Sequence, residues 1–381
     1  MELDDVLLDD ADRLADADSH GLLITTASAG ASIRAAVEAI EDQVCARVAE
    51  DGRPRAIAVV GGGGSGAAGE VLAAVVGPRS SVPVITVAQP ALPGWIGPTD
   101  VVIAVSGSGN TYETLSAASD AARRGARLVT LCPTNSELHA IARATHAGEH
   151  IPISIPVTAG TWRARTMFWT LSTPLLFLAE ALGLTEGTAQ AADQAATMLD
   201  EIALECAASR DSVANPAKRA AINLANCVPL IWGTEAIGGV AARRYGRQLA
   251  ENAGIPAVVG TLPEAGRTQS ALLAGPYAGQ RSVDDLFRDR VENPDESSRL
   301  RLIIMRDADE HPATAALAQA AMDLAHRREV PGDVLVAQMG HPFVRLAELV
   351  GVADFATVYA GLAMGIDPMS SSNELDERRQ W

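Results

Sequence analysis

Lysine is nearly missing from this chain: Lys218 is the only one, so arginine supplies almost all of the 30 basic side chains set against 47 acidic ones. The formal charge of -17 argues against a nucleic-acid partner, because phosphate backbones are bound by neutralising them with Lys and Arg. An anionic small substrate must then be met by local positive charge. Cysteine is scarce as well. Cys45, Cys132, Cys206 and Cys227 are scattered, with no close pairs and no histidines at metal-ligand spacing, so neither a zinc site nor a disulfide framework is expected. A reducing cytoplasm is the simplest setting. No apolar run reaches the roughly 20 residues that a membrane span needs. The opening MELDDVLLDDADRLADAD is acidic, unlike a signal or transit peptide, and its DDADRLADAD run reads as a solvated helix face.

What the chain does have is 48% hydrophobic residues and 33 glycines, in a length that suffices for two domains and a sizeable core. Apolar runs at 55–60, 83–87, 101–105, 127–131 and 151–155 read as strands. Helical periods at 65–76, 111–125 and 135–143 lie among them. Such alternation indicates a parallel sheet covered on both faces. Two long helical segments, about 161–183 and 187–208, follow as a connector. The pattern then repeats: strands at 228–233, 256–260, 300–305 and 333–338, with helices at 236–252, 313–328 and 341–364. Internal duplication with low identity between the halves is the natural reading. The polar stretch 276–299 reads as a surface excursion, and the tail after Pro368 carries too little apolar surface to define its own structure.

Two turns carry the chemistry. Ser-Gly-Ser-Gly-Asn-Thr at 106–111 sits between the strand VVIAV and the amphipathic run YETLSAASDAARRGA, and GGGGSG at 61–66 has the same design. A strand that breaks into glycines and hydroxyl residues before opening a helix aims bare N–H and O–H groups at one point, backed by the positive end of the helix dipole. That is an anion cradle, of a kind suited to phosphate. Gly61, Gly63 and Gly66 also match G-x-G-x-x-G, but a dinucleotide site needs an acid at the end of the next strand, and VPVITVAQ at 83–90 has none. The bland alternatives are glycines serving a tight turn and Asn110 or Thr111 capping the following helix. Neither turn reads G-x-S-x-G, and no neighbouring histidine is evident to activate Ser65 or Ser108.

The pair GGGGSG and SGSGNTYET resembles the sugar isomerase (SIS) domain. The later run from NPAKRAAINLANCVPLIWGTEAIGG through QLAENAGIPAVVGTLPEAGRTQ is similar to the second SIS domain of the bifunctional phosphoglucose/phosphomannose isomerase family. The likeness covers nearly the whole chain, including YAGLAMGIDP at 359–368. It implies an α/β protein of two α-β-α sandwich domains with parallel sheets, dimeric, with its ligand between the lobes. Carried over by position, the phosphate residues are Gly64, Ser65, Ser106, Ser108, Gly109 and Thr111. Arg163 of TWRAR matches the family's sugar-side arginine, and Glu251 in QLAEN matches its catalytic base. In isolation Glu251 reads as a solvated helix-end carboxylate. Arg244 and Arg247, one and two turns earlier, could pair with it or face water.

Two departures bear on catalysis. The family usually reads like PEANHNQ where this chain has PEAGRTQ, so its ring-opening histidine falls on Arg267, which stays protonated and cannot shuttle a proton although it can bind an oxyanion. The family's lysine near the C-terminus falls at or near Asp376 in NELDERR. His341 is a candidate substitute. His20, His139, His146, His150, His311 and His326 read as surface residues.

The expected organisation is an N-terminal helical segment packing on the core (1–54), a first SIS domain (55–160), a helical connector (161–214) and a second SIS domain with tail (215–381). The expected function is aldose–ketose isomerisation of a hexose 6-phosphate, with Glu251 as base and Arg163 and Arg267 beside the sugar. No metal or cofactor is expected, nor a nucleic-acid or membrane partner. The alternative is a non-catalytic sugar-phosphate sensor. A SIS-type DNA-binding regulator would need a basic helix-turn-helix that the acidic N-terminus does not supply.

Overall fold

The computed structural model describes residues 3–146, 148–153, 166–278 and 299–366. Arg163, Asp376, the tail after Pro368 and most of the polar stretch 276–299 therefore lie outside the described residues. The chain divides into two compact units: Ile24–Glu201 with His341–Val344, and Met1–Leu23 with Ile202–Gly340 and Arg345–Trp381.

Short helices open the chain: α1 (Asp5–Leu8), α2 (Ala11–Ala17), α3 (Leu22–Ala27), α4 (Ala29–Glu38) and α5 (Asp42–Glu50). The acidic run is more than a solvated face. Asp4 accepts from the Leu7 N–H at 3.0 Å, Asp10 from Arg13 N–H at 3.1 Å, and Asp18 from Leu22 and Leu23 N–H at 2.7 and 2.8 Å. These carboxylates satisfy donors that helix starts leave open.

The first unit holds strands β1 (Ile57–Val60), β2 (Val84–Val87), β3 (Val101–Val105), β4 (Arg127–Cys132) and β5 (Gly148–Pro152), all parallel in the order β2-β1-β3-β4-β5. β1 and β3 are buried throughout, as their unbroken apolar runs require of strands covered on both faces. Helices α6 (Gly63–Val76), α7 (Tyr112–Arg123) and α8 (Glu137–Ala144) follow β1, β3 and β4. Of the two helices expected as a connector, α9 (Phe168–Ala181) is instead a core element: it packs against α4 and α6, and Trp169 meets Phe343 edge-on at 5.4 Å. α10 (Thr188–Glu205) runs on from it.

The second unit contains α11 (Pro216–Asn223), β6 (Cys227–Thr234), α12 (Glu235–Ala253), β7 (Val258–Leu262), α13 (Glu264–Thr268), β8 (Arg299–Arg306), α14 (Pro312–Arg327), β9 (Gly332–Val336) and most of α15 (Pro342–Ala363). Its parallel sheet has the order β7-β6-β8-β9, the same sequence of crossovers as the first four strands of the other sheet. The two parallel-sheet α/β units thus repeat one topology. α15 is long and apolar enough to cross a membrane by length and composition, which the run-length reading missed, but 89% of its apolar window is buried, as in a core helix.

The lone lysine has a structural task. Lys218 is fully buried, and its ammonium donates to the carbonyls of Ala208 and Arg210 at 2.8 and 2.6 Å. It lies 5.5 Å from the centre of the Tyr359 ring, whose hydroxyl donates to the Cys206 carbonyl at 2.6 Å. One buried cation here gathers the carbonyls left open beyond the end of α10.

Candidate functional site

In the first sheet, chain order reverses between β1 and β3, and parallel sheets present ligand sites outside the carboxyl ends of strands at such a switch point. Both sequence-predicted turns lie there, on neighbouring strands whose last paired residues are Val60 and Ala104. Gly61 shows why the first turn needs glycine: a Cβ would lie 2.9 Å from both the Ser65 Cβ and the Val105 carbonyl oxygen. Gly62 then serves as N-cap of α6 with no side-chain cap, and Cβ positions on Gly62 and Gly63 would meet open space. Gly64 and Ser65, both half-buried, form the helix's first turn over that space.

The second turn is built on hydroxyls. Ser106 is 1% exposed, and its N–H continues the β3–β4 ladder to the Leu131 carbonyl at 3.0 Å. Its Oγ accepts from the Gly109 N–H at 2.9 Å and lies 3.0 Å from Thr111 Oγ1 and 3.4 Å from Ser108 Oγ. Thr111 is the N-cap of α7, yet its side chain makes no cap hydrogen bond. Neither helix start is thus capped by a side chain, and the two starts follow neighbouring strands at the switch point of the sheet. Aligned dipoles and hydroxyl donors there can hold a dianionic phosphate.

Asn110 does not cap α7 either. Its side-chain oxygen accepts from the Glu137 N–H at 3.1 Å, and the Gly109 carbonyl accepts from the Leu138 N–H at 2.9 Å, so two orphan donors of α8 are satisfied by the cradle loop. Gly109, at φ +73°, brings the backbone so close to Ser136 that a Cβ would collide with its side chain. Ser136 in turn caps α8 by accepting from the His139 N–H at 3.3 Å. The loop is thereby braced end-on by α8, a role the sequence hinted at only through the N-cap signature of Ser136 before Glu137.

His20, His146, His311 and His326 are exposed as expected, but behind that brace His139 and His150 are half-buried. His139 and His150 stack with ring centres 4.1 Å apart, His150 Nδ1 lies 3.1 Å from Thr130 Oγ1, and the His150 Nε2 is buried without a partner. Burial first, and the neighbouring His139 second, push the His150 imidazole down to about 4.

The equivalent turn of the second unit is not an anion cradle. Thr234, fully buried, accepts from the Asp307 N–H at 2.8 Å, and Glu235 accepts from the His311 N–H at 3.1 Å. The nearly buried Asp307 carboxylate, 2.9 Å from the Arg345 Nε, adds negative charge where the first unit offers donors.

The second unit does hold Glu251, half-buried in the last turn of α12. Its carboxylate accepts from the Gln248 amide at 2.9 Å; Gln248 accepts from Asn252 at 3.3 Å, and Asn252 donates to Thr357 on α15 at 2.9 Å. Glu251 is an oriented carboxylate rather than a freely solvated one. Arg244 pairs with Asp354, donating at 2.9 and 2.7 Å, and Arg247 is exposed. Arg267, on α13, has a side chain 74% exposed and lies 3.9 Å from Glu264. Gln269, which ends the same motif, anchors it by accepting from Trp232 Nε1 at 2.7 Å and donating to the Val259 carbonyl at 3.1 Å. His341 belongs to the other unit, where its Nδ1 accepts from the Phe343 N–H at 3.2 Å.

Comparison with known proteins matches these two halves in turn. Residues 53–182 match the SIS domain, and residues 213–376 match the bacterial phospho-glucose isomerase C-terminal SIS domain. The chain is 26% identical over 313 residues to a bifunctional phosphoglucose/phosphomannose isomerase of Caldicellulosiruptor bescii, spanning 82% of this chain and 85% of that protein.

The chain is a divergent member of this family.

Solved structures agree on the fold. Tagatose-6-phosphate ketose/aldose isomerase from Escherichia coli superposes with a TM-score of 0.68 at 14% identity, over 92% of this chain and 96% of that one. A hypothetical protein from Thermus thermophilus gives 0.66 at 18% identity, over 95% and 90%. The chain keeps two SIS-type domains and carries arginine at position 267.

Proposed function

We propose that this protein is an aldose–ketose isomerase acting on a hexose 6-phosphate, interconverting glucose 6-phosphate or mannose 6-phosphate with fructose 6-phosphate. Family membership supports the broader class, a phosphosugar isomerase. The observation that carries the finer reading is the pair of helix N-termini without side-chain caps after neighbouring strands, one of them beside the Ser106, Ser108 and Thr111 hydroxyls. In this reading Gly64, Ser65, Ser106, Ser108, Gly109 and Thr111 hold the phosphate. Glu251 lifts the proton from C2 of the open-chain aldose, leaving a cis-enediol, and returns it to C1 while the C2 hydroxyl proton passes to O1. Arg163 orients the sugar and stabilises enediolate charge; Arg267 holds an oxyanion without moving a proton. The chemistry calls for no metal or organic cofactor. A cytoplasmic homodimer completes the reading.

A second reading, a sugar-phosphate sensor without turnover, is favoured by one observation. Arg267 stands exposed at the position of the family's ring-opening histidine, and the chain's only lysine is committed to the Ala208 and Arg210 carbonyls. Removing positioned acid–base groups typically costs about 100- to 10,000-fold each. Conversion of fructose 6-phosphate by the purified protein separates the two. Measurable turnover supports the isomerase, whereas saturable binding of fructose 6-phosphate without turnover supports the sensor.

A further inference from the structure

A second cavity, of about 400 Å³, lies wholly in the unit that contains Glu251, between α11, α12, α15 and the N-terminal halves of β8 and β9. It shares no residue with the phosphate cradle, and it opens near the ends of the strands opposite to those where parallel sheets usually present ligands. Its size falls in the range of small-molecule sites.

Three hydrogen-bond donors open onto it. Arg301 is nearly buried, its side chain 15% exposed, yet among the described residues its only hydrogen bond runs from Nε to Asp333 at 2.6 Å. Its terminal nitrogens have no acceptor among the described residues. Tyr245 is 3% exposed and its hydroxyl has no hydrogen-bond partner among the described residues. Burial raises that phenol, so it stays protonated and available as a donor. Arg219, on the exposed side of α11, lines the same cavity with no acceptor of its own among the described residues. Two guanidinium groups thus face one carboxylate, a local positive excess in a chain of net charge -17.

Ile303 and Leu335, two residues along from Arg301 and Asp333 on the same strands, supply an apolar wall. A polyhydroxylated sugar would leave its hydroxyls unpaired against that wall, and a bare inorganic anion would leave the wall wet. Donors that line a cavity without an acceptor among the described residues can meet an anion of the right shape, and hydrogen bonds to a charged partner are the strong ones. We propose that this cavity binds a small organic carboxylate with an apolar body, its carboxylate meeting Arg301, Tyr245 and Arg219 while Asp333 holds the Arg301 guanidinium in place.

Isothermal titration of the full chain with hexanoate tests this, with acetate and hexylammonium as controls. Hexanoate is expected to bind saturably at one site per chain. Acetate, which lacks the apolar body, and hexylammonium, which has the wrong sign, should each bind at least about tenfold more weakly. Arg301→Gln should weaken hexanoate by about tenfold or more. Should that variant unfold, the surface substitution Arg219→Ala reads the same site and should weaken binding severalfold. Ser108→Ala, in the cradle, should leave hexanoate affinity unchanged, which separates this site from the phosphate reading. The proposal is overturned by absence of saturable hexanoate binding, by equal binding of hexylammonium, or by affinity that survives both arginine substitutions.

Discussion

Ser106 Oγ lies 3.0 Å from Thr111 Oγ1, so the last residue before the cradle loop and the N-cap of the helix after it meet through their hydroxyls. Thr111 makes no cap hydrogen bond to its own helix, whose start carries the positive end of the helix dipole. Ser106→Ala should therefore weaken fructose 6-phosphate binding by roughly tenfold, the worth of one hydrogen bond to a charged group, while the fold is retained. Calorimetric titration of the variant against wild type checks this, and unchanged affinity would remove Ser106 from the phosphate site.

Asn110 is expected to act on the same loop from behind. Asn110→Ala removes the acceptor for the Glu137 N–H and should cost about 1 kcal/mol of stability, as loss of a helix cap does, and weaken phosphate binding as the loop loosens. Asn110→Asp keeps an acceptor, so urea denaturation should show stability largely restored, while its added negative charge near the phosphate keeps affinity low. Stability that stays as low in Asn110→Asp as in Asn110→Ala would contradict the bracing role.

His150 should make the fold acid-sensitive. Its folded-state value of about 4 lies below the ordinary 6.5, so the unfolded chain binds the proton more readily. The stability linked to this group is fully present above pH of about 6.5 and is lost as pH falls toward about 4. After allowance for its partial exposure, a change on the order of 1–2 kcal/mol is expected across that window. His150→Asn should show a flatter stability profile between these pH values in denaturant titrations; an identical slope would mean that the stacked pair does not couple to folding.

The Arg244–Asp354 pair fastens α12, the helix of Glu251, to α15, with both residues nearly buried. Arg244→Met leaves a buried carboxylate without its partner and should cost about 3–5 kcal/mol. The double substitution Arg244→Met with Asp354→Leu should recover most of that loss, because an apolar pair of similar volume needs no desolvation. Chemical denaturation of the two variants gives the comparison, and equal stabilities would show that the charge pair is not what the single variant breaks.

The elements were largely legible in the sequence, because their signals are local. Burial on both faces makes VVIAV an unbroken apolar run, and β3 occupies 101–105 as expected. The two turns were legible for the same reason: their glycines and hydroxyls stand at fixed spacing after a strand. Contacts between residues far apart in sequence were not. Asn110 reaches α8 rather than α7, Arg244 finds Asp354 rather than Glu251, and His150 is drawn inward by β4 and α8. The lone lysine was likewise notable only as a composition until Ala208, Arg210 and Tyr359 were seen to enclose it. α15 misled by run length, since scattered polar residues interrupt a helix whose mean hydropathy is still high.

Proton transfer by Glu251 is the central claim, and it can be read without waiting for net conversion. Fructose 6-phosphate incubated with the protein in deuterium oxide should exchange a C1 proton for solvent deuterium, visible by proton NMR, because each passage through the enediol places the mobile proton on a carboxylate that exchanges with solvent. The expected result is exchange with wild type and none with Glu251→Gln, which should still bind fructose 6-phosphate with affinity close to that of wild type. Exchange that persists undiminished in Glu251→Gln, or no exchange in wild type at saturating fructose 6-phosphate, would contradict it.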